Sequence, residues 1–246
     1  MPVEIDIIIL SYAKNEALTK LTEQTIATLL TTEDSEAIKF NVLVIESNKA
    51  IKPFQFANST TIYPEDNFGF NKYLNIGVNA TNSPYIGLCN NDLVFHKGWA
   101  SEILKAFEQN SKIMSANPYG GDAYYFKEVV EGPNVMLRSK NPNANGVLTG
   151  WCILVKRVIF NTIGPLDEQF EFWYADNDYD RTLKKYRVEH ALVKTAIVEH
   201  VAMQSHDALD DKEKYTHGQK EKFDKKWNSV PTLKKFLHQL KGSLKK

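Results

Sequence analysis

The amino-acid sequence predicts an α/β domain built on a mostly parallel sheet with helices on both faces. Three features predict it. Short runs that are apolar at nearly every residue alternate with stretches whose apolar residues recur every three to four positions, as strands buried on both faces and amphipathic helices do. The alternation is sustained over the first 110 residues. Several apolar runs end in polar clusters, and ligands of open parallel sheets bind at the carboxyl ends of the strands. In chain order, residues 5–10 (IDIIIL) read as a strand, apolar except for Asp6. Residues 16–31 read as a helix with Leu18, Leu21, the methyl of Thr25 and Leu29 on one face. Residues 41–45 form a second strand, 61–63 a third, 70–80 a helix and 85–89 (YIGLC) another strand. Residues 97–109 form an amphipathic helix with Trp99, Ile103, Leu104 and Phe107 on one face. Residues 115–146, rich in Asn, Pro, Gly and Tyr, read as long loops. A strand over 147–155, a short helix over 156–163, a helix over 176–187 and a strand over 191–198 follow. Residues 208–227 and 231–240 are expected to be helical, so the chain divides into a domain over 1–207, with halves at 1–110 and 111–207, and a Lys-rich helical extension over 208–246.

Composition narrows the function. Of 246 residues, 43% are hydrophobic and 24% charged, which is ordinary globular usage and excludes general disorder. Thirty basic residues balance thirty acidic ones, so net charge gives no reason to expect a nucleic-acid or membrane binder. The balance is local, however: residues 212–246 carry eleven lysines against three acids. No apolar run approaches the roughly 18–20 residues that a membrane helix needs. The first ten residues, MPVEIDIIIL, carry acids where a secretory signal carries Lys or Arg. Two cysteines, Cys89 and Cys152, exclude a disulfide framework and a Cys-based zinc site, and a reducing cytoplasmic location is expected.

The sequence has no G-x-G-x-x-G after its first strand, no G-x-x-x-x-G-K-[ST], no G-x-S-x-G and no H-E-x-x-H. Dinucleotide and P-loop cradles, nucleophile elbows and that zinc motif are therefore excluded. What remains lies at strand ends: Ser11-Tyr12 after the first strand, Glu46-Ser47-Asn48 after the second and Asn90-Asn91-Asp92 after YIGLC. Any one of these is an ordinary turn sequence. Three on one sheet edge present acid, amide and hydroxyl groups to a single crevice.

At residues 67–99, NFGFNKYLNIGVNATNSPYIGLCNNDLVFHKGW, the chain resembles the central segment of family 2 glycosyltransferases with the GT-A (Rossmann-like) fold, and a rhamnosyltransferase-like branch among them. Asn67, Gly69 and Phe70 lead a helix containing Asn75 and Gly77, and a strand then ends in Asn90-Asn91-Asp92, an Asn form of that family's metal-binding Asp-x-Asp. Residues 146–186 are similar to its acceptor half, with Gly150-Trp151, a basic pair, Ile163-Gly164, Asp167-Glu168 and an acidic cluster opening a helix. VEHVAMQSH (198–206) resembles its late His-containing strand end, and KFDKKW (222–227) its C-terminal Lys-Trp. The family's usual Glu-Asp pair is Ala175-Asp176 here, and the acid after the second strand is Glu46 where Asp is commoner.

The resemblance implies transfer of a sugar from a nucleotide-sugar donor, a UDP- or dTDP-sugar, to a glycan, lipid-linked glycan or other hydroxyl, with inversion and with Mn²⁺ or Mg²⁺. Such a reaction needs charge neutralisation on the diphosphate, a base for the acceptor hydroxyl and a grip on the nucleoside. The resemblance assigns Asp92 and His200 to the metal, with His206 as the rival ligand. It assigns Asp176 to the base, and Ser11, Tyr12, Glu46, Asn48, Asn67, Asn71 and Asn91 to the donor. Trp151, Trp173 and Asp178 fall on the acceptor side. Two other readings stand beside it: a glycosyltransferase acting on modified nucleic-acid bases, with the Lys-rich tail on phosphates, and an inactive sugar-nucleotide-binding module. A nucleotidyltransferase would carry a Gly-rich loop after the first strand, where this chain has SYAKNEAL.

Overall fold

The structure, a computed structural model, describes residues 1–120, 131–138, 148–201 and 212–228. Its strands are β1 (Val3–Ser11), β2 (Ile38–Glu46), β3 (Thr60–Ile62), β4 (Tyr85–Cys89), β5 (Leu93–Phe95), β6 (Ile113–Tyr119), β7 (Val135–Leu137), β8 (Cys152–Lys156) and β9 (Glu189–His200). Its helices are α1 (Glu16–Leu29), α2 (Phe70–Asn79), α3 (Trp99–Gln109), α4 (Phe160–Ile163), α5 (Ala175–Tyr186) and α6 (Lys212–Phe223). The strands form one sheet in the order β3-β2-β1-β4-β8-β6-β9-β5, with β7 also paired to β9. β1 to β4 run parallel. β8 runs against β4 and β6, and β9 runs parallel to β6. The sheet is thus mainly parallel, as the sequence predicts.

Alternation along β1 explains the two covered faces, because successive side chains of a strand point to opposite sides. Ile5, Ile7 and Ile9 join one buried cluster with Ile26 and Leu29 of α1 and Trp99, Ile103 and Phe107 of α3. Ile8 and Leu10 join another with Tyr73 and Leu74 of α2 and with Leu183 of α5. α2 comes so close to the sheet that a Cβ on Gly77 would sit 2.5 Å from Ile8 Cγ2, which only glycine avoids.

Asp6, the odd polar residue of the first strand, is 3% exposed at the lower end of the sheet. Its carboxylate accepts hydrogen bonds from Ser83 N (2.7 Å), Ser83 Oγ (2.7 Å) and Asn41 Nδ2 (3.3 Å), and it pairs with Arg157 Nη2 at 2.7 Å. Arg157 also donates to the carbonyls of Ser83 and Val78 and to Thr81 Oγ1. One buried ion pair therefore ties β1, β2, the α2–β4 turn and the exit of β8.

Several elements differ from the sequence reading. The predicted loop over 115–146 contains β6 at its start. Ser115, Asn117 and Pro118 erased the apolar signal there, although Ser115 and Asn117 are fully buried. The strand expected over 147–155 is confined to Cys152–Lys156, and the residues just before it serve the site described below. A 3₁₀ turn at Arg157–Ile159 precedes α4, so the short helix expected at 156–163 is two pieces. β5 and β7, three residues each, were too short to read. The helix expected at 231–240 lies outside the described residues.

α6 and the π-helical turn Asp224–Asn228 that follows it pack on the residues around the start of α5. Gln219 Oε1 accepts from Glu171 N at 3.0 Å, and Phe223 packs on Phe170 and Ala175. Lys226 bridges Asp167 and Asp178, both at 2.7 Å, and Trp227 Nε1 donates to Asp178 at 2.6 Å.

Burial by itself would raise the Asp6 pKa. The hydrogen bonds of Ser83 and Asn41 and the Arg157 charge outweigh that, so it lies below its ordinary value. Stability from such a group is present above the ordinary carboxylate pKa and lost as pH falls through the lowered one. Breaking one side of a buried pair costs roughly 3 kcal/mol. Asp6→Asn should lose about that much in urea unfolding at pH 7, and the gap from wild type should narrow below about pH 4. A pH-independent gap would place the loss in packing alone.

Candidate active site

The ends of β2, β1 and β4 lie side by side, which brings the three polar clusters to one edge. Ser11 and Glu46 are register partners, and Ser47 N and Oγ donate to Ser11 O at 2.9 and 2.7 Å. Glu46 is fully buried. Its carboxylate accepts from Ala13 N at 3.1 Å and Asn48 N at 2.6 Å, while Asn48 Nδ2 donates to Ala13 O at 2.8 Å. Burial pushes the Glu46 carboxyl upward, against the opposing bonds from Ser11 and the main chain. The pair therefore clamps the loops after β1 and β2 together. Tyr12 is half-buried, with Lys14 Nζ 5.9 Å from its ring centre.

Two hydroxyls of α1 hold the next loop. Thr22 Oγ1 contacts Ser11 Oγ at 2.9 Å and accepts from Asn91 Nδ2 at 3.0 Å. Thr25 Oγ1 reaches Asn91 O at 2.7 Å and Leu93 N at 3.0 Å. These pegs fix the turn carrying Asp92, which does not cap α3; Glu33 does, accepting from Ala100 N at 2.9 Å. β5 then pairs with β9 so that Leu93 faces His200, and Val201 N donates to Asp92 O at 2.9 Å.

The result is a close approach of Asp92 Oδ1 and His200 Nε2, 3.1 Å apart. Both atoms are buried, and neither has an aligned hydrogen-bond partner. Such orphaned atoms are costly unless something completes them. Neighbouring ligands on an octahedral cation with bonds of about 2.1 Å lie about 3.0 Å apart, so the pair has the spacing and chemistry of two ligands on one divalent ion. No further His, Cys, Asp or Glu completes a group of three among the described residues, and His206 lies outside them.

Trp151 stacks on the His200 ring, with centroids 5.5 Å apart and planes 11° off parallel, and Trp151 O accepts from Asn90 N at 2.9 Å. The residue before it, Gly150, abuts Asp176: a Cβ there would lie 3.0 Å from Asp176 Cβ. The two-residue segment Gly150-Trp151 therefore touches the candidate base on one side and the candidate metal ligand on the other. A buried chain holds it. Asn117 accepts from Thr149 N at 3.0 Å and contacts His190 Nε2 at 2.9 Å. His190 Nδ1 meets Ser115 Oγ at 2.9 Å, and Tyr179 donates to Ser115 at 3.0 Å.

Asp176 lies in the first turn of α5, after Tyr174, which has a left-handed φ of 65°. A non-glycine residue there is strained, and such strain gathers at functional sites. Burial raises the Asp176 pKa, and Asp180 adds to it against the main-chain N–H of Asn177. Ala175, where the resembled family has Glu, is 4% exposed and packs with Phe170 and Phe223.

Other sequence-assigned residues lie apart. Asn67 is exposed, and Asn71 donates to Asp167 O at 2.9 Å, away from the strand ends. Asp178 is spent on Lys226 and Trp227. Trp151 is 6% exposed, whereas Trp173 is 41% exposed. The sequence reading missed Thr22, Thr25, Asn117, His190 and the fit of Gly150. The hydroxyls at 22 and 25 in an otherwise apolar helix face were a usable signal for the first two.

Residues 6–164 match the family described as Glycosyl transferase family 2. No curated protein matches the chain in sequence. Among solved structures, it is similar to a mannosyltransferase, PcManGT from Pyrobaculum calidifontis, in complex with GDP-Man and Mn²⁺, at 13% identity and a TM-score of 0.61, over 85% of this chain and 60% of that one. It is similar to GalNAc-T7 with UDP, GalNAc and Mn²⁺ at 11% identity and 0.59, over 80% and 43%. For residues 1–349 of S. aureus TarS the values are 13% and 0.55, over 83% and 62%. At these identities the likeness is one of fold, and the chain spans 43–62% of the lengths of these proteins.

A raised carboxyl pKa contributes stability below its ordinary value that is lost as pH rises through the raised one. Asp176→Asn, which keeps the Asn177 hydrogen bond, should therefore melt no lower than wild type at pH 7, with any gain fading on acidification. A lower melting temperature at pH 7 would contradict the upward shift of Asp176.

Proposed function

The chain belongs to glycosyl transferase family 2, and on that premise we propose that it moves a sugar from a nucleotide-sugar donor to an acceptor hydroxyl. The supporting observation is the orphaned Asp92–His200 pair joined to Asp176 through Gly150-Trp151. Asp92 and His200 would hold a divalent cation, Mn²⁺ or Mg²⁺, which when bound neutralises charge on the diphosphate leaving group.

The chain's own residues supply the rest. Asp176 takes the proton of the acceptor hydroxyl as it attacks the anomeric carbon. Its raised pKa makes its carboxylate a stronger base than that of a solvated Asp. The attack is a single displacement with inversion. Stacking of Trp151 sets the His200 ring plane. Glu46 and Asn48 act through the loops that they clamp, so the main chain at 11–14 and 46–48 shapes the nucleoside pocket beside Ser11 and Tyr12. Asn91 serves in the same way, by its bond to Thr22. Asn67 is exposed, and exposed Trp173 offers an aromatic face to the acceptor. The donor class is a UDP- or dTDP-sugar, as for a rhamnosyltransferase-like member, and the acceptor carries the hydroxyl on a glycan or lipid-linked glycan.

Among the described residues, Lys220 pairs with Asp224, Lys222 with Glu171 and Lys226 with two carboxylates, which takes these three lysines away from a phosphate footprint. No helix among the described residues is long and apolar enough to cross a membrane. Cys89 and Cys152 are free, buried and facing, with sulfurs 3.9 Å apart, as suits a reducing cytoplasm.

Thermal unfolding with UDP- and dTDP-sugars tests the donor reading: a stabilisation seen only with Mn²⁺ or Mg²⁺ is expected, and Asp92→Ala and His200→Ala should each remove it. Equal stabilisation in excess chelator would sink the metal pair. Asp176→Asn should lower kcat by about 10²–10⁴-fold with donor binding unchanged. Near-normal turnover would move the base elsewhere.

A further inference from the structure

A cavity of about 420 Å³ lies on the far side of α5 from Gly150, between that helix, α2, the loop after α4 and the docked extension. Its size falls within the roughly 300–1,000 Å³ of small-ligand pockets. Asp178, Thr182 and Tyr186, four residues apart, run down one face of α5 along it. The reaction described above uses none of the groups that line it.

Its chemistry selects a ligand class. Lys226 is already shared between Asp167 and Asp178. That leaves one acid, Glu168, and one base, Lys185, so a strongly charged ligand gains little. Glu168 Oε1 is taken by Asn75 Nδ2 at 3.0 Å, while its second oxygen is open. Thr182 Oγ1, Tyr186 Oη and Lys185 Nζ make no hydrogen bond or ion pair among the described residues. Tyr186 is 42% exposed, with Lys185 Nζ 5.2 Å from its ring centre, and Trp227, its N–H fixed on Asp178, has Lys226 Nζ 5.0 Å from its ring centre. Open donors and acceptors beside two aromatic rings match a neutral polyol with apolar ring faces.

We propose that this cavity is a second carbohydrate site, binding sugar residues of a glycan remote from the reacting hydroxyl. The inference rests on the glycosyltransferase reading for the presence of such a glycan. Binding there would anchor the acceptor by parts that do not react, a recognised use of remote binding energy.

The test is ¹H–¹⁵N NMR of the whole chain titrated with chitotriose, maltotriose and mannotriose. At least one should shift the Trp227 indole and Thr182 amide signals saturably. Thr182→Arg, which fills the cavity from a half-buried position, and Tyr186→Ala, at an exposed one, should each weaken that binding at least about tenfold. Cation-dependent nucleotide-sugar binding should stay as in wild type in both. Absence of shifts with all three trisaccharides overturns the proposal, as does a shift that Thr182→Arg leaves intact. Trisaccharide binding without any nucleotide-sugar binding would sink the transferase reading and leave this site standing.

Discussion

The ion pair of Asp6 with Arg157 is the constraint on which the architecture turns. It joins residues 151 apart at the end of the sheet away from the site. Its neighbours come from β2, the α2–β4 turn and the last turn of α2. Such a pair gains little net energy over an apolar substitute, but losing one partner is severe. What it fixes is where β8 leaves the sheet. Because β8 runs against β4 and β6, its opposite end arrives among the carboxyl ends of the parallel strands. That is how Gly150 and Trp151 come to lie between Asp176 of α5 and His200 of β9.

Around this frame, buried polar side chains position the loops at the strand ends. Glu46, Asn48, Asn91, Asn117 and His190 all have partners, mostly main chain or one another. Satisfied networks of this kind rigidify a core because an unpaired member would be expensive. Asp92 and His200 are among the few described buried polar side chains without an aligned hydrogen bond, and among these they alone set a carboxylate beside an imidazole. The extension adds a last support: Phe223 fills the space beside Ala175, and Gln219 holds the main chain of Glu171 ahead of the strained Tyr174.

Much of this was legible in the sequence, and the rest was hidden for identifiable reasons. β1, β2 and β4 announced themselves because both faces are buried, so nearly every residue is apolar. β6 did not, because Ser115 and Asn117 are buried with polar partners 75 and 32 residues away. The polar edge was readable from Ser11, Glu46 and Asn90–Asp92. That Glu46 would be fully enclosed was not, since enclosure depends on Ala13 N across a strand pairing. Asp178 read as part of an acidic cluster at the start of a helix. Its partners, Lys226 and Trp227, arrive only after two further elements.

The pairing of β5 with β9 carries a consequence for how the molecule comes into being. Asp92 and His200 are brought together by a short ladder whose two sides are separated by most of the domain. Contacts of such long sequence separation close late, since loop entropy must be overcome before they form. On the ribosome, β1 to β4 and their helices can assemble while β9 has yet to emerge. Asp92 and His200 meet only when β9 is laid down, so a cation held by both, as proposed, would report that this strand has joined the sheet.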